Sequence, residues 1–148
     1  MDNLSSVTIA LSIVGFIALI AILVSLFYKP GKKLDVVTKL KPEDDGSTPH
    51  NMEVLVTNTG KNRVKMQSPF VKFTHGTGSM IYKVNPHKVH CRFPRILKVG
   101  ENISCTVDLS SYHKSLEQSS FHPTHVKIVI KDTMGMKFGS HSIHYKVK

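Results

Sequence analysis

Two kinds of hydrophobic pattern divide this 148-residue chain. From Val7 to Phe27 apolar residues run with no charge and no polar stripe. Read as a helix, that run spans about 31 Å, the thickness of a bilayer's hydrocarbon core. A core helix of a soluble domain would keep one polar face, and this segment keeps none. Pro30-Gly31 ends it. From Leu34 onward the period changes to two. Leu34, Val36, Thr38 and Leu40 alternate with Lys33, Asp35, Val37 and Lys39, and Met52, Val54 and Val56 alternate with Glu53, Leu55 and Thr57. Val64 and Met66, Val71 and Phe73, and Met80, Tyr82 and Val84 continue the pattern, followed by Val89, Cys91 and Phe93. Ile103, Cys105, Val107 and Leu109 come next, then Val126, Ile128 and Ile130, and finally Ile143, Tyr145 and Val147. Alternation of this kind predicts half-buried strands.

Turn residues punctuate the runs. Pro42 to His50 reads as an exposed loop, and Asn58 to Asn62 and His75 to Gly78 read as turns. Asp132-Thr133-Met134-Gly135 reads as a hairpin loop. Ser110 to Gln118 is the single helical candidate here, with Tyr112 and Leu116 one turn apart. Seven to nine short strands at regular spacing predict an all-β fold: an immunoglobulin-like antiparallel β-sandwich preceded by one N-terminal transmembrane α-helix. The expected layout is a short flank over 1–6, a transmembrane helix over 7–28, a basic flank over 29–33 and the sandwich over 34–148.

Charge sharpens this division. The chain has 20 Lys and Arg against 10 Asp and Glu, a net charge of +10. All 20 basic residues but only 9 of the 10 acids lie from Lys29 onward, so that portion carries +11. Val7, Phe16, Phe27 and Tyr28 are the expected anchor, with Tyr28 at the interface and Lys29, Lys32 and Lys33 snorkelling to headgroups. The segment before the apolar run lacks the basic residues of a secretory leader, and no small-x-small cleavage site follows it, so an uncleaved anchor is expected. The positive-inside rule, applied to Lys29, Lys32, Lys33, Lys39 and Lys41, predicts single-pass insertion in the cell membrane with the domain on the cytoplasmic side. The opposite orientation is the alternative.

Three segments resemble a known layout. Val56-Thr57-Asn58-Thr59-Gly60 is similar to the V-x-N-x-G turn of many bacterial immunoglobulin-like domains. Leu97-Lys98-Val99-Gly100-Glu101 is similar to their L-x-x-G-E/D entry into a later strand, and Ile130-Lys131-Asp132-Thr133-Met134-Gly135 to their terminal D-x-x-G hairpin. With the single helix and basic flank, the chain resembles a group of small, mostly uncharacterised bacterial single-pass membrane proteins with one such domain. The resemblance implies fold and layout and no activity.

Candidate chemistry is sparse. Cys91 and Cys105 fall on the apolar parity of their strands. They read either as a disulfide, in an oxidising compartment, or as two buried thiols in a reducing one. A cytoplasmic domain favours the thiols. Nine histidines offer metal-site candidates, of which His90 with Cys91, and the loop-like pair His122 with His125, are singled out. Neither supplies the three or four ligands of a closed site, so no metal and no cofactor is expected. His90-Cys91-Arg92-Phe93 is faintly similar to the paired-Cys motif of membrane-anchored copper-delivery factors, but one Cys of that pair is missing. No nucleophile elbow and no phosphate loop is present. A non-enzymatic membrane-anchored module, acting as a binding or structural accessory subunit, is therefore expected. The alternatives are a metal-handling membrane protein using His and Cys, and a filament or envelope subunit assembled through its helix. The expected partners are the membrane itself and a protein partner or second copy, with an anionic surface as an alternative. Nucleic acid is disfavoured, because most aromatics share the core parity.

Overall fold

The structure, a computed structural model, describes residues 2–27, 31–41, 50–86 and 89–145. It divides into two compact units, Met1–Pro30 and Gly31–Lys148.

The first unit holds α1 (Asp2–Phe27), 26 residues long. Its stretch Val7–Val24 is apolar and long enough to cross a membrane, and its side chains, Val7 and Phe16 included, are exposed. Ser12 Oγ donates to the Thr8 carbonyl at 2.9 Å. This satisfies a hydroxyl within the helix itself, as hydrocarbon surroundings would demand. Tyr28 and Lys29 lie outside the described residues, as does the Phe27 side chain.

The second unit is mostly β. Among the described residues its elements are β1 (Leu34–Leu40), β2 (Asn51–Asn58), β3 (Val64–Met66), β4 (Phe70–His75), β5 (Gly78–Lys83), β6 (Arg95–Leu97), β7 (Asn102–Asp108), α2 (Ser110–Gln118), β8 (His125–Lys131), β9 (Lys137–Gly139) and β10 (Ile143–His144). All strand pairs are antiparallel. One sheet runs β1-β2-β7 and a second runs β10-β8-β4-β5, with β9 also on β8. β3 and β6 form a separate ribbon.

Period-2 patterning explains why the sheets close on a shared interior. Val36, Val54, Val56, Ile103 and Val107 from the first sheet meet Val71, Phe73, Val126, Ile128 and Ile130 from the second in one buried cluster. Each such burial stabilises by about 1.5–3 kcal/mol before the entropy cost of ordering. α2 closes one end through Tyr112 and Leu116. The rings of Tyr82, Tyr112 and Tyr145 all lie within 6.0 Å of Phe73, centroid to centroid.

The strand expected over Val89 to Phe93 does not form. Val89 makes one isolated bridge to Val107, and pairing resumes only at β6. Pro86 and Pro94 bracket this stretch and supply no backbone donors.

Asn58 ties distant segments together. Its buried side chain donates to the Asn62 and Leu97 carbonyls at 2.9 and 3.0 Å and accepts from Gly60 N–H at 3.1 Å. Its own carbonyl accepts from Gly100 N–H at 2.9 Å. Two of the three turn motifs read from the sequence therefore meet at one residue. Gly31 and Lys33 join the same place. The Gly31 carbonyl accepts from the amides of Lys61 and Asn62, and the Lys33 carbonyl from those of Thr59 and Gly60. A Cβ at Gly60 would sit 2.6 Å from Lys33 N, so only glycine allows that approach.

Candidate ligand face of the second sheet

The strands of the second sheet, β4, β5, β8, β9 and β10, contain no Asp or Glu. Inward positions hold Val71, Phe73, Val126, Ile128 and Ile130, so the alternate positions must face out. Those positions carry Lys72 on β4 and Lys127 and Lys131 on β8. Register brings them side by side: Lys72 lies directly opposite Lys127, and Lys131 directly opposite Lys137 of β9. Like charges in direct cross-strand pairs are unfavourable. The ion pairs among the described residues are Lys32–Asp132, Lys41–Glu53 and Arg95–Glu101, none of them on this face.

The lysines surround an open groove of about 340 Å³. Phe70, Ile81 and Val129 form its apolar floor. Ile81 is 59% exposed. The Lys131 ammonium lies over the Phe70 ring, 4.6 Å from its centroid, a cation–π contact. A groove with an apolar floor and a rim of ammonium groups that make no ion pair among the described residues suits an anionic ligand that also presents apolar surface.

The residues singled out in the sequence are placed as follows. Cys91 and Cys105 are joined in a disulfide with Cα atoms 5.7 Å apart, the first of the two readings the sequence left open. Cys105 is buried on β7 and Cys91 half-buried at the core margin, because β7 lies beside the Val89 bridge. The bridge also removes the Cys91 thiolate as a metal ligand. His90, His122 and His125 are exposed. His125 pairs across the sheet with His144, rings 5.5 Å apart, and its Nδ1 shares a hydrogen bond with Thr124 Oγ1 at 3.0 Å. Among the described residues no group of three or more His, Cys, Asp or Glu could hold a metal ion.

Lys32, expected in the basic flank, is engaged within the β unit. Its ammonium donates to Asp132 Oδ2 at 2.8 Å, where the Asp132 side chain is 0% and the Lys32 side chain 23% exposed. Lys33 is exposed. Oδ1 of Asp132 accepts from the amides of Met134 and Met136 at 2.9 and 2.8 Å. Burial would raise this carboxyl's pKa, but the Lys32 ammonium and the two amides outweigh it and hold it below the ordinary value. The sequence shows Asp132 as a turn residue, and its counter-ion lies a hundred positions away.

A second polar cluster was equally hidden. His113 of α2 shares a hydrogen bond between Nε2 and Tyr145 Oη, and its ring lies 5.4 Å from that of His50. Burial and the nearby His50 lower the His113 pKa, against the smaller opposite pulls of Glu117 and Asp108. Burial raises that of Tyr145. Both shifts favour the neutral forms.

No protein-family model and no curated protein matches this sequence. Among solved structures, the chain is similar to the crystal structure of a Bordetella pertussis protein provisionally named ApaA. The TM-score is 0.46 and the identity 12%, over 81% of this chain and 98% of that one.

Proposed function

We propose that this protein is a single-pass membrane protein whose immunoglobulin-like β-sandwich is a non-enzymatic binding module for an acidic protein partner. The observation that carries the reading is the acid-free, lysine-lined face of the second sheet. Keeping Lys72 against Lys127 and Lys131 against Lys137 costs stability in the free protein, and an acidic ligand would relieve it. In fold terms, support for a sandwich comes from two antiparallel sheets feeding one core and from α2, which links β7 of one sheet to β8 of the other.

The domain faces the oxidising side of the membrane in this reading. The Cys91–Cys105 bridge supports that side, since such bridges persist in oxidising compartments. The lysine count that favoured the cytoplasm is weakened because Lys32 is engaged with Asp132.

The test uses the full-length protein in nanodiscs of neutral phosphatidylcholine and a fluorescent decaglutamate peptide. Binding should weaken steeply with salt. Lys72→Glu with Lys127→Glu should weaken it at least tenfold, whereas the same reversals at the exposed Lys98 and Lys114 should not. Equal effects from both pairs would refute the assignment of the face.

A further inference from the structure

β5 is an edge strand: among the described residues it pairs with β4 alone. The phase of that ladder identifies its free groups. Val84 N–H donates to the Pro69 carbonyl at 2.9 Å, continuing the β4–β5 register. In an antiparallel pair, hydrogen-bonded and non-bonded positions alternate. Gly78, Met80 and Tyr82 therefore bond to β4, and the amides and carbonyls of Ser79, Ile81 and Lys83 point outward from the edge. Repeating every second residue, these groups are spaced about 6.8 Å apart, the period of a strand.

The side chains agree with this assignment. Ser79, Ile81 and Lys83 are exposed, whereas Met80 and Tyr82 are half-buried against the core. Protective features of an edge are scarce here. β5 has no proline, its register with β4 is unbroken, and Lys83 is its single charge. A strand added here would place alternate side chains on two different surfaces. Those on the inner side would lie beside Met80 and Tyr82. Those on the outer side would lie beside Ile81 and Lys83, with Lys72 directly across from Ile81 and Lys127 one strand further in.

We infer that the β5 edge takes an extended segment of the acidic partner as an added strand, with carboxylates alternating with apolar residues. The inference rests on the reading of the lysine face given above and specifies how the partner sits on it. A second copy of this chain is disfavoured as occupant, because its β5 would bring another lysine and no acid to a sheet that has none. Nucleic acid is disfavoured because the ring at the groove, Phe70, is half-buried and already covered by the Lys131 ammonium.

The experiment compares capped, fluorescent eight-residue peptides alternating Glu and Val on the full-length protein in neutral nanodiscs. One peptide is unmodified, one is N-methylated at every Val and one at every Glu. Only one set of alternate amides can face β5, so one methylated peptide should bind at least tenfold more weakly and the other like the parent. Ile81→Pro, which removes an amide pointing away from β4, should give the same loss. The peptide series keeps the test intact if that variant does not fold. Equal binding by all three peptides would overturn edge addition, as would failure of the alternating peptide while decaglutamate still binds. Retained weakening by Lys72→Glu with Lys127→Glu would then leave the lysine-face reading standing. Loss of that effect as well, or no binding by any peptide, would remove both.

Discussion

Lys32→Met should destabilise the β unit far more than a surface lysine replacement. The substitution leaves the Asp132 carboxylate, at 0% side-chain exposure, without its counter-ion. Breaking a buried ion pair from one side costs about 3–5 kcal/mol. Two features reduce that figure. The Lys32 side chain is 23% exposed, and Oδ1 keeps its bonds from the Met134 and Met136 amides. About 2–3 kcal/mol is expected, which for a domain of this size lowers Tm by roughly 8–12 °C. The assay is thermal unfolding followed by the β-sheet circular dichroism band, on full-length protein in micelles at pH 7. The pH dependence carries the sign. Because the folded pKa of Asp132 lies below its unfolded value of 3.8, the stabilisation is present above pH 3.8 and lost as pH falls through the folded pKa. Without Lys32, burial is opposed only by the two amides, so the acid loss should shrink. Lys32→Met with Asp132→Asn should recover part of the Tm, because the uncompensated charge is gone. A Tm change under 2 °C for Lys32→Met, with an unchanged acid limb, would refute the view that this pair is buried and coupled.

Three further outcomes are expected. Replacing both Cys91 and Cys105 by Ser reopens a loop of separation 14 and should cost about 3 kcal/mol, read as a lower urea midpoint. Gly60→Ala should cost more than about 2 kcal/mol, because its Cβ would meet Lys33 N at 2.6 Å and backbone must shift; Tm reports it. His113 binds its proton less readily folded than unfolded, so stability should fall as pH drops below about 6.5, and His113→Gln should flatten that limb of a Tm–pH profile.

The alternating runs were the most legible part of the sequence. Leu34–Leu40, Asn102–Asp108 and His125–Lys131 form strands where period two placed them, and Ser110–Gln118 forms α2. In each, local chemistry and burial agree. The Val89–Phe93 run alternates equally well and stays irregular, because alternation reports a buried face and says nothing of a neighbour able to complete a ladder. β6 was invisible for the converse reason. Three residues after a proline carry no period, and their pairing with Val64–Met66 comes from tertiary structure. The lysine face was half legible. Parity alone turns Lys72, Lys127 and Lys131 outward, but their adjacency depends on β4–β8 pairing between segments more than fifty residues apart. Asp132 was illegible, since burial of a turn acid depends on a counter-ion brought from the other end of the chain.

The hydrogen bonds of Gly31 and Lys33 bear on where this chain can be divided. Hydropathy invites a cut after the last lysine of the basic flank, so that a soluble piece would begin at Leu34. Such a piece would lose the carbonyls that Thr59, Gly60, Lys61 and Asn62 use, together with the cation facing Asp132. A protease or a cloning boundary that frees the domain intact has to act before Gly31. The flank that sequence assigns to the membrane is, in hydrogen-bonding terms, the first structural segment of the domain.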